Sequence, residues 1–227
     1  MVNTGAIRTA IGVVGNVISF GLFMSPLPTF VKIWKAKSVQ DFRPDPYLAT
    51  MLNCALWTFY GLPFVSEDNI LVLTINAFGF CLEMFYIFIF LIYSTGEKRK
   101  KILLIVLGEF IIIALVVSLL MTLVHKPKKR KLIAGPICIC FNIIMYASPL
   151  TIMRLVIRMK SVKYMPFLLS FTNFFNGVVW TVYAILKWDP FVMIPNSLGT
   201  LSGLLQLSLY AVYYRTTNWN EETPNVV

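Results

Sequence analysis

The 227-residue chain is 58% hydrophobic and only 13% charged, with a formal net charge of +10. Soluble domains carry about 25% charged residues to keep their surfaces wet, so the composition excludes an ordinary water-soluble protein. In a soluble chain the positive charge would suggest nucleic acid, but here it sits in short runs at the ends of apolar segments, where it sets topology.

Crossing a hydrocarbon core takes roughly 17–25 apolar residues, and seven such runs are expected, at 6–30, 46–65, 70–93, 102–124, 132–153, 166–186 and 191–214. The first lacks a basic leader and a small-residue cleavage site and is long enough to span, so it reads as a membrane helix rather than a signal peptide. It carries Ser19, Leu22 and Pro26. The second starts at Pro46 and carries Asn53, Trp57 and Tyr60. The third holds Asn76 and Glu83, and the fourth holds Glu109. Asn142, Met145 and Pro149 lie on the fifth, Asn176 and Trp180 follow Pro166 on the sixth, and Asp189 precedes the seventh, which carries Asn196. Cys54, Cys81, Cys138 and Cys140 all fall inside apolar runs, where free thiols act as small hydrophobes.

Basic residues follow spans one (Lys32, Lys35, Lys37, Arg43), three (Lys98 to Lys101) and five (Arg154, Arg158, Lys160, Lys163), whereas the connections after spans two and six are nearly bare of them. The positive-inside rule then puts the amino terminus outside and the carboxyl terminus in the cytosol. Lys126, Lys128, Lys129, Arg130 and Lys131 contradict this alternation, because seven spans place their loop outside.

The sequence repeats itself. Ser25-Pro26-Leu27 recurs as Ser148-Pro149-Leu150, Lys37-Ser38-Val39 as Lys160-Ser161-Val162, and Trp57-Thr58-Phe59-Tyr60 as Trp180-Thr181-Val182-Tyr183, each 123 positions on. At an offset of 120, Pro46-Tyr47-Leu48 resembles Pro166-Phe167-Leu168 and Asn76 matches Asn196. Each repeat holds three spans, and the fourth has no counterpart. The expected fold is therefore all-α, with seven transmembrane helices as two parallel three-helix bundles joined by a linker helix (3+1+3). The expected boundaries are 6–93 for the first repeat, 94–130 for the linker and its loops, 131–214 for the second repeat and 215–227 for a cytosolic tail.

Pro-Leu-Pro-Thr-Phe at 26–30, Lys-Ser-Val at 37–39, Thr-Ile-Asn-Ala-Phe-Gly at 74–79, Ala-Ser-Pro-Leu at 147–150, Met-Pro-Phe at 165–167 and Pro-Asn-Ser-Leu-Gly at 195–199 give the chain its resemblance to the SWEET sugar facilitators of the MtN3/PQ-loop group. The resemblance spans roughly residues 8–214. It implies uniport of mono- or disaccharides down their gradient by alternating access, with no coupling ion and no cofactor, and the plasma membrane as location, with vacuolar or other endomembranes as alternatives. Self-association as a homodimer or homotrimer is left open.

Polar side chains in mid-span should face protein or a watery path. They come in repeat-related pairs: Asn76 with Asn196, Asn53 with Asn176, Ser19 with Asn142, and the indoles Trp57 and Trp180. Amides suit vicinal hydroxyls in several orientations, and indole faces suit the apolar face of a sugar ring. The alternative for each amide is an interhelical hydrogen bond and nothing more. Leu22 and Met145, four residues before the span-breaking prolines, complete the expected substrate-binding set. Their bulk, beside the smaller residues that the resemblance associates with disaccharide transport, favours a monosaccharide such as glucose or fructose. Sucrose, or another small solute, is the competing substrate.

The resemblance also assigns Pro26, Pro46, Pro149 and Pro166 to a hinge tetrad, although Pro46 and Pro166 could simply start their helices. It assigns Tyr60 and Asp189 to an outer gate, although Asp189 could simply cap the last helix. Glu83 and Glu109 fall outside the repeat symmetry and read as structural rather than proton-carrying. A seven-span receptor is disfavoured by the duplication. An enzyme is disfavoured because the single histidine, His125, lies in a basic loop and no metal-ligand spacing or catalytic set occurs.

Overall fold

The computed structural model describes residues 3–219. The chain is all-α: α1 (Thr4–Met24), α2 (Leu27–Ala36), α3 (Asp45–Tyr60), α4 (Ile70–Tyr93), α5 (Gly96–Leu123), α6 (Pro127–Met145), α7 (Ala147–Met159), α8 (Phe167–Ile185) and α9 (Pro190–Tyr213). Among the described residues nine helices make seven spans, because the first and fifth are each broken within the stretches Thr4–Ala36 and Pro127–Met159. These two, with α4, α5 and α8, are long and apolar enough to cross a bilayer. Helix α3 is short at 16 residues, and α9 is diluted by Asn196, Ser197, Thr200, Ser202, Gln206 and Ser208. Of the expected tail at 215–227, residues 220–227 lie outside the described residues.

The chain forms two compact units, one ending at Met145 and one beginning at Tyr146. In the first, α3 packs on α4, and α1, α2 and α5 pack against this pair, while α6 lies on α3 and α5. Its aromatic centre is the Phe30 ring, stacked on Tyr86 at 4.0 Å and met edge-on by Tyr47 and Phe90. The Tyr86 hydroxyl donates to the Phe23 carbonyl at 3.1 Å, tying α4 to the end of α1. The buried Arg8 guanidinium donates to the Asp68 carbonyl at 2.7 Å and to Asn69 Oδ1 at 2.8 Å, holding the loop that starts α4. In the second unit α9 packs on both α8 and α7. A Cβ on Gly177 would lie 2.8 Å from the Thr200 nitrogen, and one on Gly203 2.8 Å from the Phe174 Cα. Only glycine therefore admits so close an approach of α8 and α9.

The repeat is written into the backbone. Lys37 and Lys160 both end their helices in the left-handed region, at φ 52° and 50°, and Asp68 and Trp188 both adopt it in the loops before α4 and α9, at φ 58° and 51°. None is glycine, so each position is over-determined by its surroundings in both repeats.

Two of the awkward cations expected in a loop, Arg130 and Lys131, lie at the start of α6 and are used internally. Arg130 Nε donates to the Val124 carbonyl at 2.6 Å and its Nη1 to the Phe64 carbonyl at 3.2 Å, clamping the α5–α6 turn to the α3–α4 loop. The Lys131 ammonium lies 5.9 Å from the Tyr60 ring centroid. These two charges are explained by bonding within the protein rather than by the side of the membrane they occupy.

Candidate functional site

Helix α4 presents Asn76 and α9 presents Asn196, each part-buried, and both amides adopt one geometry. Asn76 Nδ2 donates to the Val72 carbonyl and Asn196 Nδ2 to the Val192 carbonyl, 2.8 Å in each case. Bonding four residues back spends one donor per amide and keeps the side chain against its own helix. The other amide hydrogen and the carbonyl oxygen have no further partner among the described residues.

One turn after each asparagine comes a glycine covered by an aromatic ring from the break in the neighbouring span. A Cβ on Gly79 would lie 2.5 Å from Phe23 Cζ and 2.9 Å from Cys54 Sγ, and a Cβ on Gly199 would lie 2.7 Å from Tyr146 Oη. Phe23 and Tyr146 are themselves 123 positions apart. Tyr146 adds a bond that Phe23 cannot make, its hydroxyl donating to the Pro195 carbonyl at 2.6 Å. The sequence reading missed these two ring–glycine pairs. The repeat offsets make Gly79 a mate of Gly199 and Phe23 a mate of Tyr146, but they do not announce that the ring and the glycine touch.

Trp57 and Trp180 are nearly buried, at 5% exposure each, and each meets the tyrosine three residues later (Tyr60, Tyr183) edge-on at 5.2 Å and 73°. The Trp57 Nε1–H has no hydrogen-bond partner. Trp34 and Trp188, at span ends, are exposed. Asn53 and Asn142 meet directly, Nδ2 of Asn142 donating to Asn53 Oδ1 at 3.4 Å across α3 and α6. The sequence paired these residues with Asn176 and Ser19 instead, because the repeat offset reveals symmetry mates and not contacts within one unit. Ser19 is buried, and Leu22, Met145 and Asn176 are half-buried. Asn16 was not foreseen: its Nδ2 donates to Thr74 Oγ1 at 3.0 Å while its own Oδ1 is buried without a partner.

The break between α1 and α2 falls at Ser25-Pro26, where both the Ser25 amide and hydroxyl turn back to the Leu22 carbonyl, at 3.1 and 2.7 Å. In the fifth span the break falls at Tyr146, and Pro149 sits in the first turn of α7. Pro46 lies in the first turn of α3, and Pro166 is the N-cap of α8. Tyr60 is fully buried at the end of α3. Asp189 occupies the N-cap position of α9, but its side chain makes no capping bond to the first turn. Among the described residues no group of three or more His, Cys, Asp or Glu could hold a metal ion. All four cysteines are free thiols, Cys54 and Cys138 buried, Cys81 and Cys140 exposed.

A family model described as a sugar efflux transporter for intercellular exchange (MtN3) matches twice, over residues 9–98 and 133–218. The bidirectional sugar transporter SWEET5 of Arabidopsis thaliana is 57% identical over 215 residues, covering 95% of this chain and 90% of that protein. SWEET4 of the same plant is 50% identical, covering 98% and 88%, and SWEET7b of Oryza sativa subsp. japonica is 52% identical, covering 95% and 82%. The fold matches the 3.7 Å structure of a eukaryotic SWEET transporter with a TM-score of 0.90 at 37% identity, covering 93% of this chain and 99% of that one. By the double match of its halves and its identity to plant relatives over almost its whole length, this chain belongs to the MtN3 family of SWEET membrane sugar transporters, facilitators rather than enzymes.

Proposed function

We propose that this protein carries a monosaccharide, glucose or fructose, down its gradient in either direction, by alternating access and without a coupling ion. The observation that carries this reading is the matched geometry of Asn76 and Asn196, two neutral amides that each keep one N–H donor and the carbonyl acceptor in reserve. Neutral donors and acceptors suit hydroxyls, whereas a zwitterionic solute would want a charged partner at that depth. Trp57 and Trp180 supply apolar surface for the ring, and the unpartnered Trp57 Nε1–H is a further donor. Asn53, Asn142, Asn176 and Ser19 extend the polar lining, while Leu22 and Met145 limit its width. The bulk of these last two favours one sugar ring over two.

Pro26 and Pro149, beside the two span breaks, and Pro46 and Pro166, at helix starts, act as the hinges, because proline localises bending where a backbone donor is lost. Tyr60 and Asp189 form the outer gate. The protein resides in the plasma membrane, amino terminus outside and carboxyl terminus in the cytosol, in keeping with the basic residues after spans one, three and five.

The test is uptake of labelled glucose, fructose and sucrose into proteoliposomes, with and without a proton gradient. Equilibration of a hexose independent of the gradient is expected. Accumulation above equilibrium, or transport of sucrose alone, would overturn the reading.

A further inference from the structure

Helices α7 and α9 enclose between them a groove of about 640 Å³ on the second unit. Its walls are apolar and open: Leu150, Ile157, Leu205 and Val212 are each more than half exposed. Two arginines, Arg154 and Arg158, stand one helical turn apart along the same wall. Both side chains are exposed, and neither guanidinium has a hydrogen bond or ion pair among the described residues.

The groove does not belong to the sugar site. Leu205 follows Asn196 by nine residues, two and a half turns at 3.6 residues per turn, and so lies on the opposite face of α9. The pair of cations is specific to the second repeat, since the positions of the first repeat that match Arg154 and Arg158 are Val31 and Lys35, of which only Lys35 is basic. Its end is held in place: Thr216 Oγ1 donates to the Lys160 carbonyl at 2.8 Å, and the Val162 amide donates to Thr217 Oγ1 at 2.9 Å, fastening the end of α7 to the segment after α9.

An unpaired arginine within a span is costly at mid-depth and is tolerated near the end of a helix, where its head reaches the headgroups. Two in register beside an apolar channel offer a planar, multidentate donor set of the kind that grips phosphate. We propose that the groove is a binding site for one anionic phospholipid in the leaflet that meets the Met159 end of α7. The phosphate engages Arg154 and Arg158, and an acyl chain lies along Leu150, Ile157, Leu205 and Val212. A zwitterionic lipid presents the same phosphate with its charge already neutralised, so the site discriminates by headgroup.

The experiment is native mass spectrometry of the purified, delipidated full-length protein titrated with phosphatidylglycerol or phosphatidylcholine of identical chains. Retention of phosphatidylglycerol at least about tenfold stronger than phosphatidylcholine is expected, a difference of ~1.4 kcal/mol. The pair Arg154→Gln/Arg158→Gln should lower it to the phosphatidylcholine level, and Arg154→Lys/Arg158→Lys should keep part of it. Leu205→Trp, which fills the channel and leaves both arginines, should weaken both lipids, and this variant decides the matter if the glutamine pair does not insert. Equal retention of the two lipids, a headgroup preference that survives the glutamine pair, or a Leu205→Cys disulfide between copies in vesicles would overturn the proposal.

Discussion

The Tyr146 hydroxyl donates to the Pro195 carbonyl at 2.6 Å, one residue before Asn196. The fifth span is thus fastened, at its own break, to the turn of α9 that presents the amide. The same hydroxyl covers Gly199, where a Cβ would lie 2.7 Å from the oxygen but 3.7 Å from the next ring atom.

A compensation experiment follows from those two distances. Tyr146→Phe alone removes one hydrogen bond, about 1 kcal/mol, and should lower the thermal stability of the purified protein slightly. Gly199→Ala forces a methyl onto the hydroxyl, an overpacking worth about 1–3 kcal/mol, and should lower both stability and sugar uptake more. In the double variant the methyl fits, because only the oxygen stood in its way, so stability and uptake should return to the level of Tyr146→Phe. A Gly199→Ala defect undiminished in the double variant would show that contact with Tyr146 is not its cause. The first repeat should behave differently: Gly79→Ala meets Cys54 as well as Phe23, so truncating Phe23 alone should not rescue it.

Replacing Asn76 or Asn196 by alanine should reduce sugar uptake by about tenfold or more, equivalent to at least ~1.4 kcal/mol of binding or transition-state stabilisation. Folding should survive, because each amide bonds only to its own helix and polar bonds between membrane helices average only about 0.6 kcal/mol. Uptake normalised to the amount of protein in the membrane is the measurement. Normal flux in both variants would remove these residues from the substrate site.

What the sequence made legible was a part of what duplication writes twice. The span count, the odd linker, the paired asparagines and the breaks near Pro26 and Pro149 follow from hydropathy and two offsets. The left-handed backbone of Lys37 and Lys160 and of Asp68 and Trp188 shows that the offsets hold at the level of single dihedral angles. Contacts specific to one repeat were not legible. The Asn53–Asn142 pair, the Asn16–Thr74 bond and the Arg8 clamp on the Asp68–Asn69 loop join residues far apart in sequence, and no local pattern announces them. The basic run at 126–131 was left unexplained for a related reason. Charge counting treats every cation as topology, whereas Arg130 is spent on backbone carbonyls of two loops.

Met145 ends α6 just before the break, half-buried. If its bulk limits the width of the substrate site, Met145→Val should raise the ratio of sucrose to glucose uptake by about tenfold, on the order of the 1–3 kcal/mol that a methylene-sized change makes in a fitted pocket. Leu22→Val should act in the same direction. Competition assays with both labelled sugars in the same vesicles would measure the ratio directly. An unchanged ratio in both variants would shift the size limit to other side chains.

Glu83 and Glu109 test whether transport is coupled to protons. Both are buried, and each has a carboxylate oxygen, Oε2, without a partner, which is the usual mark of an intramembrane proton carrier. Their positions argue otherwise. The second repeat has Gly203 where the first has Glu83, and Gly203 is required there for the approach of Phe174, so no symmetric acid exists to hand a proton between halves. Glu109 belongs to the linker span, which has no counterpart in the second repeat, and lines a cavity of the first unit with Leu48, Leu52, Ile105, Phe141 and Met145. Glu83→Gln and Glu109→Gln keep the shape and the hydrogen-bonding capacity while removing the titratable group. Hexose equilibration should therefore stay within about twofold of the parent in both, and an inward proton gradient should drive no accumulation in any of the three proteins. Gradient-driven accumulation in the parent that disappears in either glutamine variant would identify that carboxylate as the coupling site and replace facilitated diffusion with symport.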